Sequence, residues 1–447
     1  MHGGTTTVNR TLHPDRKGSQ RERILTAMID VVARDGYAAT TIAQVIAAGG
    51  VSRPTFYDYF KDKDDCFLAC LAEIQQQLLA ETRQAVESEA PEHATAATIR
   101  SLVAFADSKR ELAHVMMNEA MAGGPRALDL RDQGIVDVAQ VLEQAHERVT
   151  AKKPTPDISP LLLIGTIHRL LAARLRHDEH DLAWMVKELM RWAERYEEPA
   201  GKHRWRTLTP VADPAPWPIL PESMLRAPAP LEPAQGRRDE VRENRRRRIL
   251  FATAEVGREK GYTAVTVADI IKRAGVDRRA FNALFADKQA AFEAAHELGF
   301  QRTIALTAGA YFTGATWPER IWEAGRGFTQ YFQGNLTIAH IGFVESTAVG
   351  PDAIKRLEDS VNAFTIFFQD GKEYLPAGSP APEPLALEAI ATAVMEMGYR
   401  ECRREDEHQM ENLLPHVSFL CLAPFMGASA ANRFIDERLE TKAQTSP

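Results

Sequence analysis

The sequence predicts an all-α fold built from two related units that follow each other in one chain. Apolar residues recur at the spacing of one helix face, and no alternating β-branched runs are bounded by hairpin turns. A shift of 225 residues superimposes the N-terminal part of the chain on its middle without a gap. A stretch with nine prolines separates these two parts.

Composition excludes several classes of protein. The 447 residues are 45% hydrophobic and 26% charged, which is ordinary for globular proteins. A net charge of −7 argues against a protein that coats nucleic acid without specificity, although a local basic face remains compatible with it. Four cysteines without a CxxC pair indicate neither a disulfide framework nor a zinc site, and we expect Cys66 and Cys70 to be buried thiols. Without an apolar leader or a run of about 18 apolar residues, we expect a cytoplasmic protein that does not enter the membrane.

Helical periodicity assigns the elements in order. In the first unit, an apolar face from Ile24 to Val32 predicts a helix that ends near Gly36, and a longer helix carries Leu68 to Leu79. Further first-unit helices are expected at Ala94–Ser108, Arg110–Met121, Pro125–Val149, Pro160–Arg176 and Asp181–Tyr196. Those of the second unit are expected at Pro318–Gln333, Leu336–Ala348, Pro351–Tyr374, Pro384–Arg404 and Glu407–Leu439.

The repeat places the same residue types at the same spacing in both units. Arg23-Ile-Leu25 falls on Arg248-Ile-Leu250, and Gly36-Tyr37 falls on Gly261-Tyr262. The other matched positions pair Thr41, Gly50, Val51, Arg53, Phe56, Phe60, Asp62, Lys63 and Phe67 with Thr266, Gly275, Val276, Arg278, Phe281, Phe285, Asp287, Lys288 and Phe292. Two unrelated helical segments would not keep glycines, aromatics and a lysine in register, so the chain is a duplication.

The repeated segment has the pattern of a helix-turn-helix. Thr41 is suited to cap a short helix over Ile42–Ala48, and Gly49-Gly50 permits a tight turn. Ser52 caps a second short helix, in whose first turn Pro54 is tolerated. In such a unit the second helix enters the DNA major groove.

The second short helix has side chains suited to DNA. Phe56 and Phe60, at i and i+4, are expected to face the core, so the residues between them point outward. Arg53 is suited to a bidentate contact with guanine, and Thr55 to a thymine methyl or a phosphate. The residues expected to contact DNA in this unit are Thr41, Ser52, Arg53, Pro54, Thr55, Tyr57, Tyr59 and Lys63. The alternative is that Tyr57 and Tyr59 are surface aromatics that pack on the next helix.

These residues resemble the DNA-binding domain of the TetR/AcrR family of transcriptional regulators. The resemblance rests on Arg23-Ile-Leu25, Gly36-Tyr37, Gly50-Val51-Ser52, Thr55-Phe56-Tyr57-Asp-Tyr59-Phe60 and Lys63-Asp-Asp-Cys-Phe67. It implies three N-terminal DNA-binding helices followed by a helical bundle that accepts a small hydrophobic effector. It also implies a four-helix dimer interface made by the last two helices of each bundle, here near Pro160–Tyr196 and Pro384–Leu439.

The resemblance and the prolines divide the chain into six expected segments. These are a flexible arm (1–18), a helix-turn-helix domain (19–66), an effector and dimerisation bundle (67–198), a proline-rich linker (199–240), a second, divergent helix-turn-helix domain (241–291) and a second bundle (292–440). Four apolar linker residues are suited to pin the linker on a domain surface: Trp205, Trp217, Ile219 and Leu220.

The second helix-turn-helix departs from the pattern of the first. Ala280, Asn282 and Leu284 replace the Thr, Tyr and Tyr of the first copy, while Arg279 joins Arg278. A basic arm precedes it, and residues 237–288 carry 14 Lys+Arg and 8 Asp+Glu, a net charge of +6. We expect phosphate contacts here and leave sequence reading open. The candidate residues are Thr266, Arg278, Arg279, Asn282 and Lys288.

The function expected from these features is a sequence-specific DNA-binding transcriptional regulator, a repressor released by a small hydrophobic effector. Its partners would be a double-stranded DNA operator and that effector, without a cofactor or a metal. The alternative is a ligand-sensing or protein-binding scaffold that has lost DNA binding in its C-terminal half. An enzyme is not expected, because the sequence has no nucleophile elbow, P-loop, GxGxxG motif or metal-spaced His/Glu pair.

Assembly and effector binding carry further expectations. The two units pair either within one chain, as a pseudo-dimer, or between two chains, and we favour a homodimer because their faces have diverged.

His168, His340 and His416 lie on apolar stretches and are expected to be core histidines rather than metal ligands. Side chains suited to line the bundle interiors are Met116, Met117, Met121, Trp184 and Trp192, and in the second unit Phe328, Tyr331, Phe332, Phe343, Phe364, Phe367, Phe368 and Met395.

Overall fold

Helices form both halves of the protein in the computed structural model, which describes residues 19–149, 155–198, 205, 226–231, 236–404 and 408–445. The expected arm (1–18) and most of the expected linker, including Trp217, Ile219 and Leu220, lie outside these ranges. Within them, no helix has both the length and the apolar character needed to cross a membrane.

The first unit contains nine α-helices in the described residues, and most follow the periodicity closely. Their bounds are α1 Gln20–Asp35, α2 Ile42–Gly49, α3 Arg53–Tyr59, α4 Lys63–Glu87, α5 Ala94–Ser108, α6 Arg110–Met117, α7 Pro125–His146, α8 Pro160–Arg176 and α9 Trp184–Glu194. Short 3-10 turns cover Pro91–His93 and Glu119–Ala122. The two-residue strands β1 (Thr155–Pro156) and β2 (Glu197–Glu198) pair antiparallel beside α9.

The second unit repeats this order with interruptions. Its helices are α10 Arg238–Lys260, α11 Val267–Ala274, α12 Arg278–Asn282, α13 Lys288–Tyr311, α14 Trp317–Gly334, α15 Leu336–His340, α16 Ser346–Val349, α17 Pro351–Ala363, α18 Pro384–Cys402, α19 Leu414–Met426 and α20 Ala428–Thr445. A π-helical turn, Ile341–Glu345, separates α15 from α16, and 3-10 segments cover Phe364–Tyr374 and Met410–Leu413.

Several predicted helices differ in detail from the observed ones, and two of the differences have a local cause. The helix expected over Leu336–Ala348 is divided by the π turn, where Ser346 Oγ donates a hydrogen bond to the carbonyl of Ile341 five residues before it. The one expected over Pro351–Tyr374 becomes a 3-10 segment after Ala363. The one expected over Glu407–Leu439 ends at Gly427, whose φ of 82° breaks the helix between α19 and α20.

The two units pack against each other within the chain. α8 and α9 of the first unit lie against α18 of the second, and a single apolar core runs from the first helix-turn-helix domain into the second bundle. At its edge Tyr196 donates a hydrogen bond to the carbonyl of Leu420, 3.0 Å away. The helices that were expected to form a dimer interface therefore meet their counterparts in the same chain. This is the pseudo-dimer arrangement, one of the two expected, and a homodimer of chains stays a prediction.

A buried ion cluster fixes this contact, which we call the seam. Glu396 on α18 is fully buried, and its two oxygens lie 2.5 Å from Arg169 Nε and 2.8 Å from Arg400 Nη2. Burial alone raises the pKa of Glu396, but Arg169, Arg131 and Arg400 together hold that pKa below its usual value. The carboxylate is therefore ionised, and it needs its arginines because an unpaired buried charge is costly.

Further polar contacts surround Glu396 along the seam. Arg174 and Arg176 of α8 bind Glu388 and Glu358 of the second unit, and the hydroxyl of Tyr399 donates to Asp132 Oδ2 at 2.9 Å. These pairs join helices of different units, so they specify the register in which the units meet.

Two parts of the linker are described by the structure, one at Trp205 and one near Ala229, and both contact the second unit. Trp205 is buried, and its indole N–H donates to Asn432 Oδ1 at 2.8 Å, which confirms that this tryptophan pins the linker. At the other end, Asn244 of α10 donates to the carbonyl of Ala229 at 2.8 Å. The chain between the units is thus attached to α20 and to α10.

We predict that Gly165→Ala destabilises the seam. A Cβ at Gly165 would lie 2.5 Å from Glu396 Oε1, and this carboxylate is held by its ion pairs. We expect the free energy of unfolding in urea to fall by about 1–3 kcal/mol, as for other overpacked cores. The matched control is Gly309→Ala on α13, where a Cβ meets nothing within 4 Å. Equal stability of the two variants would contradict the prediction.

Candidate nucleic-acid interface

The first helix-turn-helix forms as the sequence predicts. Thr41 caps α2 by accepting a hydrogen bond from the N–H of Gln44, whose side chain binds back to Thr41. Gly50 ends α2 in the left-handed conformation, with φ 59° and ψ 39°, which a side chain would strain. The chain then enters α3 at the cap residue Ser52. This turn sets the angle at which α3 leaves the domain.

The recognition helix α3 has one buried and one exposed face. Phe56 is fully buried and lies near the ring of Phe60, which anchors the helix in the core. Tyr57 and Tyr59 are 47% and 43% exposed, and Arg53 is exposed with its guanidinium 6.0 Å from the centre of the Tyr57 ring. Neither tyrosine is buried by the next helix, and a DNA contact from either stays a prediction. A polar aromatic surface with a cation faces outward.

The hydroxyls at the start of α3 already have partners. Ser52 Oγ accepts from the N–H of Thr55 at 3.2 Å, and the two hydroxyl oxygens lie 2.8 Å apart. Pro54 is exposed in the first turn, where it needs no N–H donor. Capping therefore holds Ser52 and Thr55 at the exposed end of the helix, and a phosphate contact from either stays a prediction.

The two repeated lysines have a structural role that the sequence did not suggest. Lys63 Nζ donates to the carbonyl of Tyr37 at 3.0 Å and lies 4.1 Å from the centre of its ring. Lys288 Nζ donates to the carbonyls of Tyr262, Thr263 and Val265. Burial lowers the pKa of both lysines.

An ammonium group has three N–H donors, and three carbonyls occupy those of Lys288. Lys288 therefore ties the start of α13 to the turn before α11, and its expected phosphate contact stays a prediction. Lys63 has the same place in the first unit with one carbonyl bound, so its phosphate contact stays a prediction.

The second helix-turn-helix presents different charges. Thr266 caps α11 as Thr41 caps α2, but its partner is Asp269, where the first unit has Gln44. Hydrogen bonds from Lys260 and Thr266 hold the pKa of Asp269 well below its usual range. A fixed negative charge thus lies at the N-terminus of α11, where a phosphate would otherwise be attracted.

The second recognition helix, α12, is shorter and more basic than α3. It has five residues against seven, and Arg278, Arg279 and Asn282 are all exposed on it. The basic arm continues α10 towards the N-terminus, and Arg248 on it donates to the carbonyl of Gly275 at 3.0 Å. Cations therefore dominate this surface, with few directional groups among them.

One carboxylate connects each bundle to its helix-turn-helix domain, and neither of the two was predicted from the sequence. Glu119 Oε2 accepts a hydrogen bond from the N–H of Tyr37 at 2.7 Å, and Glu345 Oε2 accepts from the N–H of Tyr262 at 2.6 Å. We call Glu119 and Glu345 the interdomain carboxylates. Each receives the amide that follows a glycine with positive φ, so each holds the turn between the first two helices of its domain.

A histidine accompanies each interdomain carboxylate. His114 Nε2 lies 3.6 Å from Glu119 Oε1, and His340 Nε2 lies 3.1 Å from Glu345 Oε1. The signal was available in the sequence as a second ungapped repeat. At a shift of 226 residues, Ala-His-x4-Glu-x4-Gly-Pro occurs at 113–125 and again at 339–351.

The two other histidines singled out by the sequence differ: His168 is a buried histidine among arginines, whereas His416 is exposed, so the expected core position of His416 is wrong. His168 is buried on α8, and His416 packs edge-on against Trp205 with ring centres 5.0 Å apart. Across the described residues no group of His, Cys, Asp or Glu has the arrangement of a metal site. Cys66 and Cys70 are buried free thiols, as predicted.

Comparison with known proteins agrees with this geometry. Residues 24–70 and 249–295 each match the family model of bacterial regulatory proteins of the tetR family. The two helix-turn-helix domains are thus similar to those of tetR-family regulatory proteins. More particularly, the chain carries the tetR-family segment twice and is a tandem duplication of a TetR-like unit. A search of curated proteins gave no match.

Solved structures of regulators align with about two fifths of the chain. A tetR-family regulatory protein from Rhodococcus RHA1 is 22% identical, with a TM-score of 0.36, over 41% of this chain and 100% of its own. The fatty acid degradation regulator FadR from Bacillus halodurans is 18% identical, with a TM-score of 0.34, over 40% and 96%. NalD from Pseudomonas aeruginosa, the secondary repressor of the MexAB-OprM multidrug efflux pump, is 19% identical, with a TM-score of 0.33, over 40% and 95%.

We predict that α3 contributes directly to DNA binding. Arg53→Ala should cost about 1–3 kcal/mol of binding free energy and relax the preference at one base pair. Tyr57→Phe should cost roughly 1 kcal/mol on every sequence, as for a lost hydrogen bond to a charged acceptor. Fluorescence anisotropy with the full chain measures both, with Arg100→Ala, an exposed arginine on α5, as the control. Wild-type affinity in both variants would remove α3 from the interface.

Proposed function

We propose that the protein is a transcriptional repressor in which one chain supplies both DNA-binding domains and a small hydrophobic effector releases it from its operator. The observation that carries this proposal is the pairing of two helix-turn-helix domains on one seam. Helix-turn-helix regulators bind two half-sites with two domains of fixed spacing, and here a single chain has both.

The two helix-turn-helix domains would contribute unequally to DNA binding. Arg53, Thr55, Tyr57 and Tyr59 give the first domain directional donors for base and phosphate contacts. Arg278 and Arg279, with the basic arm, give the second domain charge that neutralises phosphates with little sequence information. Asp269 and the short α12 also favour the second candidate function, a scaffold whose C-terminal half no longer reads DNA.

An effector site is supported by the interior of the second bundle. A cavity of about 130 Å³ lies there, and seven of its lining residues are among those expected from the sequence: Phe328, Phe332, Phe343, Phe364, Phe367, Phe368 and Met395. Polar groups are few, as in sites for apolar molecules. In the first bundle a cavity of about 20 Å³ touches Met116 and Met117, whereas Trp184 is 44% exposed and does not fit the expected interior position.

The wall of the larger cavity suggests how a ligand would reach the DNA-binding domain. Ile341, Gly342 and Phe343 line it, and these residues belong to the π turn, which follows His340 and ends at Glu345. A ligand that rearranges this turn would move the carboxylate that holds Tyr262. Release then follows if the ligand prefers a conformation in which the two recognition helices no longer match the operator spacing.

We predict that one chain, of 49.7 kDa, binds one operator. Duplexes selected from a random pool with the full chain provide the operator, and light scattering of the complex gives its stoichiometry. Arg53→Ala should reduce discrimination between the operator and random DNA. Arg279→Ala should weaken binding to both about equally and reduce its salt dependence. Two chains on each operator would contradict the pseudo-dimer, and absence of any selected sequence would favour the scaffold.

We predict that Glu345→Ala uncouples ligand from DNA. Dodecan-1-ol, an apolar probe for the large cavity, should bind the variant as it binds the wild type, because Glu345 does not line the cavity. The ratio of DNA affinities without and with the probe should fall towards one. Calorimetry gives the first quantity and anisotropy the second.

The same bundle offers a matched control for this variant. Glu373→Ala removes a carboxylate from the 3-10 segment, away from both helix-turn-helix domains in the chain, and it should leave the affinity ratio unchanged. Unaltered coupling in Glu345→Ala would exclude this carboxylate from the release mechanism.

A further inference from the structure

A second cavity lies in the seam, next to the aromatic cavity of the second bundle. It has a volume of about 80 Å³, and its walls come from α7 and α8 of the first unit and from α17 and α18 of the second. Leu357, Val361 and Met395 line both cavities. Three apolar side chains, one of them a flexible methionine, are therefore the partition between the two spaces.

The seam cavity differs from its neighbour in chemistry. Arg131, His168, Arg169 and Arg176 line it together with the carboxylates of Glu358 and Glu388, and Arg131 and His168 are 2% and 8% exposed. Arg131 Nε, Arg169 Nη2 and His168 Nδ1 are buried without a hydrogen-bond partner. Buried polar groups are rarely left in this state, because each loses its hydration without a replacement.

The nearby carboxylates make no hydrogen bond to these three atoms, and Glu396 Oε1 is itself buried without a hydrogen-bond partner. Glu396 binds Arg169 Nε and Arg400, while Glu358 and Glu388 bind Arg176 and Arg174. Burial, followed by the charges of Arg131, Arg169, Arg176 and Arg400, holds the pKa of His168 well below its usual value. His168 thus lies among four arginines, beside buried N–H groups with unused hydrogen-bonding capacity.

We propose that the seam cavity binds the anionic oxygen head group, carboxylate or phosphate, of an amphipathic effector whose apolar chain occupies the aromatic cavity. Arg131 Nε and Arg169 Nη2 donate hydrogen bonds to the head group, and His168 Nδ1 supplies a third contact. This inference rests on the proposed effector function and names the chemical class of the effector. Charge-assisted hydrogen bonds at a buried site give such a head group its affinity.

A ligand in both cavities would touch the connections to both DNA-binding domains. In the second unit it meets the π turn before Glu345. In the first unit the seam cavity is lined by Met117 and Met121, which flank Glu119 two residues away on either side. One bound molecule thereby acts on the two interdomain carboxylates together.

The test compares three probes of equal chain length on the full protein, below their micelle concentrations. Dodecanoate and dodecyl phosphate carry an anionic head, and dodecan-1-ol does not. By calorimetry we expect at least one of the two anions to bind ten or more times tighter than the alcohol, and the tighter anion identifies the head group. Equal affinity of all three, or no binding by any of them, overturns the inference.

Variants locate the two parts of the ligand. His168→Phe and Arg131→Gln should reduce the preference for the anion at least threefold while leaving the affinity for the alcohol unchanged. His168 Nδ1 makes no hydrogen bond that the replacement would remove, so this variant keeps the test valid if Arg131→Gln does not fold. Arg100→Gln, at an exposed position, is the control. An undiminished preference in His168→Phe and in any folded Arg131→Gln overturns the inference.

Filling the aromatic cavity separates this inference from the proposed function. Gly342 lines the cavity with nothing within 4 Å of a Cβ, so Gly342→Leu should block all three probes, whereas Gly309→Leu, with equal space on an exposed surface, should block none. If Gly342→Leu blocks the probes but anion and alcohol bind equally, the seam site fails and the effector function stands. If no probe releases DNA and Gly342→Leu changes nothing, the effector function itself fails.

Discussion

The buried carboxylate of Glu396 is the constraint on which the arrangement of the molecule depends. It lies on a helix of the second unit and is neutralised in part by Arg169 of the first, so the charge is stable only while the units stay together. Gly165 gives it room to approach. Because α8 and α18 are held in one register, the two helix-turn-helix domains have defined positions. The seam cavity also depends on this contact, since residues of both units line it.

The two copies of the duplicated unit share the contacts that hold the first turn of each helix-turn-helix domain, whereas their exposed surfaces differ. Both units keep a lysine on a carbonyl of the first turn and a glutamate on the N–H of Tyr37 or Tyr262. The exposed positions of the two recognition helices have diverged, and so have the interiors, since the larger cavity lies in the second bundle. Each unit thus retains the contact between its bundle and its helix-turn-helix domain, while the recognition helices and the cavities differ between the units.

Sequence reasoning could predict what depends on local spacing. The helix-turn-helix elements, the core positions of Phe56 and Phe281, and the aromatic lining of the second bundle follow from periodicity and from the repeat. It could not predict features that need distant residues to meet. The partner of Lys288 is a carbonyl, which has no sequence signature, and the pairing of units within the chain depends on whether Arg169 meets Glu396 of its own chain or another.

The covalent connection between the units changes how DNA occupancy depends on the amount of protein. A regulator assembled from separate subunits loses its second domain on dilution, and its occupancy then falls with a power of concentration above one. Here the second domain stays at a high local concentration set by the seam and by the anchored linker at Trp205. If the proposed repressor binds its operator as one chain, occupancy would rise in simple proportion at low copy number. A substitution in one recognition helix would then alter one half-site alone, so the two halves of the operator would be free to differ.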